Sequence, residues 1–485
     1  MNSFILKDFS GGFSDFEDRG IAGSFKLGIN LDIRKAINSL SCNQDLIQEG
    51  GDVVVGLIRW WVPCTDGNTY GFDGSGNIYK RTSGGTYTKV YTDPDGAITG
   101  AAEWFCSNGK TYIFWATATK LHCKEIPGNA TWSVDKDASV VVGSNTYTYP
   151  KTNLTTATWH TMAQAVGSLL IANYDYIGYV GWDGSYNQLG LNIFKKNYVK
   201  ALIERGSYVI AGCPKVDNSP ESNIIAWDTD AYSYNDKKNL VGGAINAMID
   251  TDIPLLQVGT KGGIYYGDMQ NVLPITSIPG GGYCNPGGVT NDDGLALFGI
   301  YGNTESRNGI YSYGKKKLNQ SRTLNLEYYV GECDEIGAIC KTGTDILVSY
   351  RVGSTNYVKK ANTALKATAY YYSLDLKAPS RLNYMPLWNS IVLTTKAMPA
   401  NTKVEVFYKL DKSTRTVDNV AVEWIQARME SKNNDGTGKK EFDTTNGTEA
   451  VFLVGEKAKV IEVQIKLTPY GNTTPEVNKA EIYFE

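Results

Sequence analysis

The sequence predicts an all-β chain, and three observations carry that prediction. There are 51 Gly and 32 Tyr among its 485 residues, a composition of aromatic-rich strands joined by tight turns. Helix-forming repetition is scarce, with one short candidate helix at residues 34–40. A hairpin unit also recurs along most of the chain. It consists of a short strand, a Gly- or Asp-containing turn, a strongly apolar strand, another turn, and a strand ending in aromatics.

The middle and last strands of this unit begin at Tyr70 and Asn77, Tyr112 and Lys120, Leu169 and Gly178, and Tyr208 and Ile224. They recur at Leu255 and Gly263, Leu295 and Gly309, and Ile346 and Asn356. Successive middle strands start 42, 57, 39, 47, 40 and 51 residues apart. A period of about 45 residues with three or four short strands is what a propeller blade requires. A plain sandwich also contains hairpins but lacks such a super-period. The expected fold is therefore a seven-bladed β-propeller over residues 51–377, with an N-terminal extended arm at 1–50 and a C-terminal β-sandwich at 378–485. Whether the last blade is closed by an N-terminal strand or by residues 369–376 stays open.

Residues 1–50 carry a Gly pair flanked by Phe9 and Phe13 and read as an arm that packs on a neighbour or supplies a closing strand. From about Ala378 the pattern changes. Residues 403–408, 460–467 and 479–484 alternate in the manner of half-exposed strands, and Asn433-Asn434-Asp435-Gly436 is a hairpin-turn signal.

Charge excludes one class of function. The formal net charge is -3, from 47 basic and 50 acidic residues, which lacks the cationic surplus of a nucleic-acid binder. Hydrophobic content of 42% fits a globular chain. No apolar run approaches the roughly 20 residues of a membrane span, and the N-terminus shows no secretory signal. The eight cysteines are scattered singly, so reduced, buried thiols are expected and not a zinc site.

Motifs for chemistry are weak. Gly109-Lys110-Thr111 ends like a phosphate-binding loop, but Trp104 stands where the motif needs its first Gly. Asp73-Gly74-Ser75-Gly76-Asn77 spaces oxygens like a calcium loop without the downstream carboxylate, and reads as a tight turn. The two histidines, His122 and His160, sit in apolar strand-like surroundings and read as satisfied interior residues. Asp292-Asp293 and Asp334-Glu335 read as solvated turn acids, and Lys315-Lys316-Lys317 with Arg322 as a solvated loop. Trp182 and Trp227 at strand ends read as blade-packing aromatics, with sugar or protein stacking as the alternative. No residue is assigned a catalytic, cofactor-binding or metal-ligating role.

The arm with Phe9-Ser10-Gly11-Gly12, the run Ile21 to Leu40 containing Asn30-Leu31-Asp32-Ile33, and the ring of degenerate blades together resemble tailed-bacteriophage virion proteins. The closing stretch, Thr474-Pro475-Glu476-Val477 through Ile482-Tyr483-Phe484, is similar to the end of β-sandwich modules in such tail components. The resemblance implies a non-enzymatic structural part of a tail, made in the host cytoplasm, present in several copies and contacting other tail proteins. Under this reading, loss of residues 1–45 leaves a folded ring that fails to assemble. The alternatives are a module recognising host-surface glycans and a glycan-degrading propeller with carboxylates at its central mouth.

Overall fold

The computed structural model describes every residue except 1, 15, 17, 19, 36–37, 128–131, 133–138, 194–195, 218–219, 269–270, 318–319, 379–384, 418–419 and 431–437. The hairpin signal at 433–436 lies outside the described residues. Among those described there is no α-helix, only single 3-10 turns at Gly51–Val53 and Thr444–Asn446. Of the helix expected at 34–40, the described residues 34–35 are bends and residue 38 a turn, while 36–37 lie outside the described residues. The Asp32 carboxylate accepts from the backbone N–H of Lys35 at 3.0 Å, and the Arg34 guanidinium turns inward to Glu327 and the Thr323 carbonyl. A buried long-range partner and a local side-chain cap thus override weak helix propensity. Leu40 then bridges Val477.

The chain forms two compact units. One comprises residues 47–309 and 330–360, the other residues 1–46, 310–329 and 361–485.

The first unit is a succession of small antiparallel meanders. Four-stranded sheets run from Ile58–Pro63 to Tyr87–Thr92, Met162–Ala165 to Tyr186–Asn192, Ala201–Arg205 to Asp236–Val241, and Ile245–Asp250 to Val272–Ser277. A three-stranded sheet (Gly100–Phe105, Thr111–Ala116, Leu121–Ile126) lies between the first two of these in chain order. The hairpin of Tyr283–Asp292 with Leu295–Tyr301 follows, and then the sheet beginning with Glu335–Thr342 and Asp345–Val352. First strands of consecutive sheets lie against one another, and Glu335–Thr342 returns to Ile58–Pro63. Apolar layers fill the gaps between sheets. Leu170, Ala172, Ile177 and Leu191 of the third sheet meet Leu202, Val209, Ala211 and Ile225 of the fourth. Ile58, Trp61 and Tyr79 of the first meet Ala338, Cys340 and Leu347 of the last. Burial on both sheet faces explains why the middle strands are continuous apolar runs.

The last sheet takes its fourth strand from the N-terminal part of the chain, Gln44–Glu49, beside Thr355–Lys366. Glu49 anchors it. Its carboxylate receives Arg81 Nε at 2.7 Å and Nη2 at 3.0 Å. The Tyr87 hydroxyl adds a bond at 3.0 Å, and Lys360 Nζ lies 3.0 Å away. Arg81 also reaches Asp345 at 2.6 Å.

Among the described residues the second unit contains two large sheets, beside the two-stranded pairs Gly12–Phe13 with Ser24–Phe25 and Arg415–Val417 with Val420–Val422. One orders Asn2–Leu6, Val477–Phe484, Leu387–Thr395, Glu449–Lys457 and Arg428–Met429. In the other, Leu27–Ile29 is inserted between Thr323–Tyr329 and Ala369–Tyr372, followed by Val460–Thr468 and Lys403–Leu410. Strand Lys403–Leu410 alternates strictly between buried and half-buried positions, as its sequence predicts. The N-terminal segment supplies the strand Gln44–Glu49 to the last sheet, one of the two roles expected of it, and apolar residues before that strand are buried in the second unit. Phe9, Phe25, Leu31, Leu40 and Cys42 are fully buried, and Phe9 and Phe25 meet Tyr371 edge-on at 5.4 and 5.6 Å. The physical reason lies in the sequence itself: a segment this rich in Phe and Leu loses more by exposure to water than an arm tolerates.

Candidate functional site

In each meander the first strand begins, and the second ends, at the same end of the sheet, because antiparallel neighbours reverse direction. That end is the upper face of the first unit. Segments leading into first strands and the turns after second strands gather there.

A belt of buried polar side chains ties neighbouring sheets at this face. Thr99 Oγ1 lies 2.8 Å from His160 Nδ1. Thr161 donates to the Lys200 carbonyl at 2.6 Å, and Lys200 Nζ donates to Asn246 Oδ1 at 3.1 Å. Asn246 Nδ2 donates to Gln257 at 2.8 Å, whose own amide reaches the Gly282 carbonyl at 3.2 Å. Asn285 Nδ2 binds Glu335 at 3.0 Å and the Ile336 carbonyl at 2.9 Å. Ser349 Oγ accepts from the Ile58 N–H at 3.0 Å. Fully partnered networks of this kind hold sheets in one relative position.

A cavity of about 450 Å³ opens in the upper face beside this belt, lined by Thr156, Thr158, Trp159, Tyr174, Tyr198 and Lys200, with Ala157 and Val216. Tyr174 and Tyr198 stack at 6.1 Å with an interplanar angle of 13°. Tyr174 occupies the turn after the second strand of its sheet, with φ 58°. Trp159 packs edge-on against Trp60 at 5.9 Å and carries the Arg59 guanidinium 5.4 Å above its ring. Burial pushes the Lys200 ammonium down to about 8. Aromatic walls, two threonine hydroxyls and one cation suit a ring-shaped polar ligand carrying an anionic group. The described lining residues include no carboxylate.

The residues singled out in the sequence fall into place individually. His160 is a satisfied interior residue: its Nε2 lies 2.9 Å from the Thr155 carbonyl, and burial pushes it down to about 4. His122 departs from that expectation, for neither ring nitrogen has a hydrogen-bond partner although the side chain is buried. Gly109-Lys110-Thr111 is a turn whose Lys110 pairs with Glu125 at 2.8 Å. In the loop at 73–77, Asp73 is spent internally, accepting from the N–H groups of Ser75 and Asn77, each at 2.8 Å, and from Asn77 Nδ2 at 2.8 Å. Asp292 and Asp293 share Lys341 at 2.6 and 2.7 Å. Glu335 is an inter-sheet tie through Asn285 and not a solvated turn acid, because the start of its strand lies inside the belt. Lys317 donates to the Lys35 carbonyl at 3.4 Å, within the second unit. Trp227 is buried and donates to the Ala231 carbonyl at 2.7 Å, whereas Trp182 is 52% exposed beside Phe105 and Trp104.

Sequence reasoning missed the cavity. Its residues come from two inter-sheet connections and two turns with no shared motif, so the only signal was aromatics and one Lys in segments that ought to be polar loop.

No family model matches the chain, and no curated protein matches it. Among solved structures it is similar to a streptogramin B lyase structure, with 12% identity and TM-score 0.47, over 66% of this chain and 97% of the other. It is also similar to the WD40 β-propeller domain of Doa1, with 13% identity and TM-score 0.44, over 65% and 96% of the two chains. For the WD40 repeats of RRP9 the values are 12%, 0.45, 67% and 100%. No residue role is carried from any of them to this chain.

Proposed function

We propose that this chain is a non-catalytic structural component of a larger particle, the tail part that its sequence resembles. In this reading the first unit is a seven-bladed β-propeller closed by Gln44–Glu49, and the second is a sandwich-like companion. The observation that carries the reading is the belt of buried inter-sheet hydrogen bonds together with the Glu49–Arg81–Asp345 closure. Such a ring is a rigid platform, and rigidity is what a repeated part in a symmetric assembly needs. Near-zero net charge lets copies approach without strong repulsion. The test is mass-spectrometric quantification of the chain in purified phage particles. A fixed copy number that is a multiple of three or six supports the proposal, and absence from particles overturns it.

The cavity favours a second activity on the same scaffold, recognition of an acidic saccharide. Tyr174, Tyr198 and Trp159 supply stacking faces, and Lys200 supplies the counter-charge. A glycan array with the intact chain and with Tyr198→Ala checks it. Selective binding of uronic- or sialic-acid-bearing glycans, lost in the variant, is the expected result.

A further inference from the structure

On the same upper face, between the first and second sheets, lies a group of side chains outside both the belt and the cavity. Asp93 and Asp95 stand in the connection leading into Gly100–Phe105, and His122 stands at the start of Leu121–Ile126. Their nearest nitrogen and oxygen atoms all lie within 4.8 Å of one another. His122 Nε2 is 3.6 Å from Asp93 Oδ2 and 3.4 Å from Asp95 Oδ2.

We propose that Asp93, Asp95 and His122 bind a single divalent cation of the zinc class. Three features lead there. The His122 side chain is 1% exposed, and neither of its nitrogens has a hydrogen-bond partner. An imidazole is rarely left so in a protein interior, because burying an unpartnered polar atom is costly. The two contacts to Oδ2 atoms are too long for hydrogen bonds. They match the edge of a tetrahedron around zinc, about 3.3 Å for bonds of roughly 2.0 Å. Finally, each carboxylate is already oriented through other contacts. Asp93 Oδ1 accepts from the Asp95 N–H at 2.9 Å, and its Oδ2 accepts from Trp115 Nε1 at 2.6 Å. Asp95 Oδ1 is held by Lys120 at 2.5 Å, leaving Oδ2 toward His122.

The His122 ring is fixed in plane by Trp115, stacked at 5.2 Å with an interplanar angle of 7°. The same indole orients Asp93 through its Nε1 hydrogen bond and holds the imidazole plane by stacking alone. One imidazole nitrogen with two carboxylate oxygens selects a borderline transition ion over magnesium or calcium, which prefer oxygen alone. Asp95 is the exposed member of the three. The ion therefore enters from solvent on that side, and its remaining coordination position opens there to water or to an anionic group.

The experiment is a cobalt(II) titration of the full, tag-free chain after chelator treatment, followed by visible absorption and then by displacement with zinc. The expected result is one cobalt per chain with the absorption of a four- or five-coordinate ion. Zinc should displace it, and excess magnesium or calcium should not. Absence of the near-ultraviolet thiolate band sets this site apart from the cysteines. Asp95→Asn removes an exposed ligand and keeps the shape, and it weakens cobalt binding by at least about tenfold. His122→Gln abolishes binding, and should that variant unfold, Asp95→Asn alone decides. The proposal is overturned by an absence of cobalt absorption, by binding unchanged in Asp95→Asn, or by equal competition from calcium.

Discussion

At the scale of single residues, charge is buried in two ways with opposite consequences. Arg81 is 2% exposed and gives hydrogen bonds to both Glu49 and Asp345. Burial opposes ionisation of Glu49, and the Arg81 and Lys360 hydrogen bonds overcome it, holding the carboxyl below its ordinary value. A carboxyl depressed in the folded state contributes stability above its unfolded value that is lost as pH falls through the folded one. Arg81→Met takes the bidentate partner from a buried carboxylate and leaves it Lys360 and Tyr87, so a loss of about 3 kcal/mol is expected in denaturant unfolding at neutral pH. The loss shrinks as pH falls through the depressed folded value of Glu49, below which the carboxyl is protonated in both states. An unchanged midpoint at neutral pH would show that the Glu49–Arg81 pair does not hold Gln44–Glu49 in its sheet. Lys200 is the reverse case. Burial lowers its folded pKa to about 8, so its charge is present below that pH and lost above it. Binding of an acidic ligand in the cavity should therefore weaken as pH rises through about 8. Lys200→Met should bind weakly at every pH, and isothermal titration at two pH values distinguishes these outcomes.

Single elements show where the chain accepts strain and where its sequence misleads. The hairpin of Met162–Ala165 with Ser168–Asn173 turns through Val166 and Gly167, with φ 46° and 72°. Such a two-residue turn suits the twist of a hairpin, but it places a β-branched side chain where Asn or Gly is favoured. Val166 is 38% exposed, so little burial is lost on replacement. Val166→Asn is expected to raise stability by about 1 kcal/mol in guanidinium unfolding. The N-terminal strands carry the larger lesson. Gln44–Glu49 has only Leu46 and Ile47 as apolar residues, so it does not read as a middle strand, although it completes a sheet. Leu27–Ile29 is three residues long and still connects Thr323–Tyr329 to Ala369–Tyr372. Deleting residues 1–45 is therefore expected to abolish the cooperative transition of the second unit, and not merely its assembly. Thermal melting by circular dichroism checks this.

At the scale of the whole molecule, the repeat was legible because each middle strand is buried on both faces and must be written as an apolar run, as at Leu169–Leu170–Ile171. The division into units was not legible, because period and composition report local burial and not which sheet a strand joins. Residues 310–329 continue the blade-like pattern with Ile310 and Tyr311, yet they belong with residues 1–46 and 361–485. The site was legible only in its parts. His122 and Lys200 are ordinary letters until a connection from one sheet is laid over a turn of the next. The chain passes between the units at residues 46–47, 309–310, 329–330 and 360–361. Neither unit is thus a continuous segment that can be cut out. A fragment of residues 378–485 keeps Lys403–Leu410 and Val460–Thr468 but lacks the neighbours Ala369–Tyr372, Leu27–Ile29 and Thr323–Tyr329 that extend their sheet. It also lacks the fully buried Phe9, Phe25 and Leu31, and with them much of the apolar area that makes a small domain stable. Expressed alone, this fragment should show no cooperative unfolding and little protection from amide hydrogen exchange. In the full chain the strand Val460–Thr468 should be among the slowest to exchange, since it is paired on both sides. A fragment that melts cooperatively, with protected amides at 461–467, would show that the C-terminal segment carries its own core and that the interleaving of the chain adds nothing to its stability.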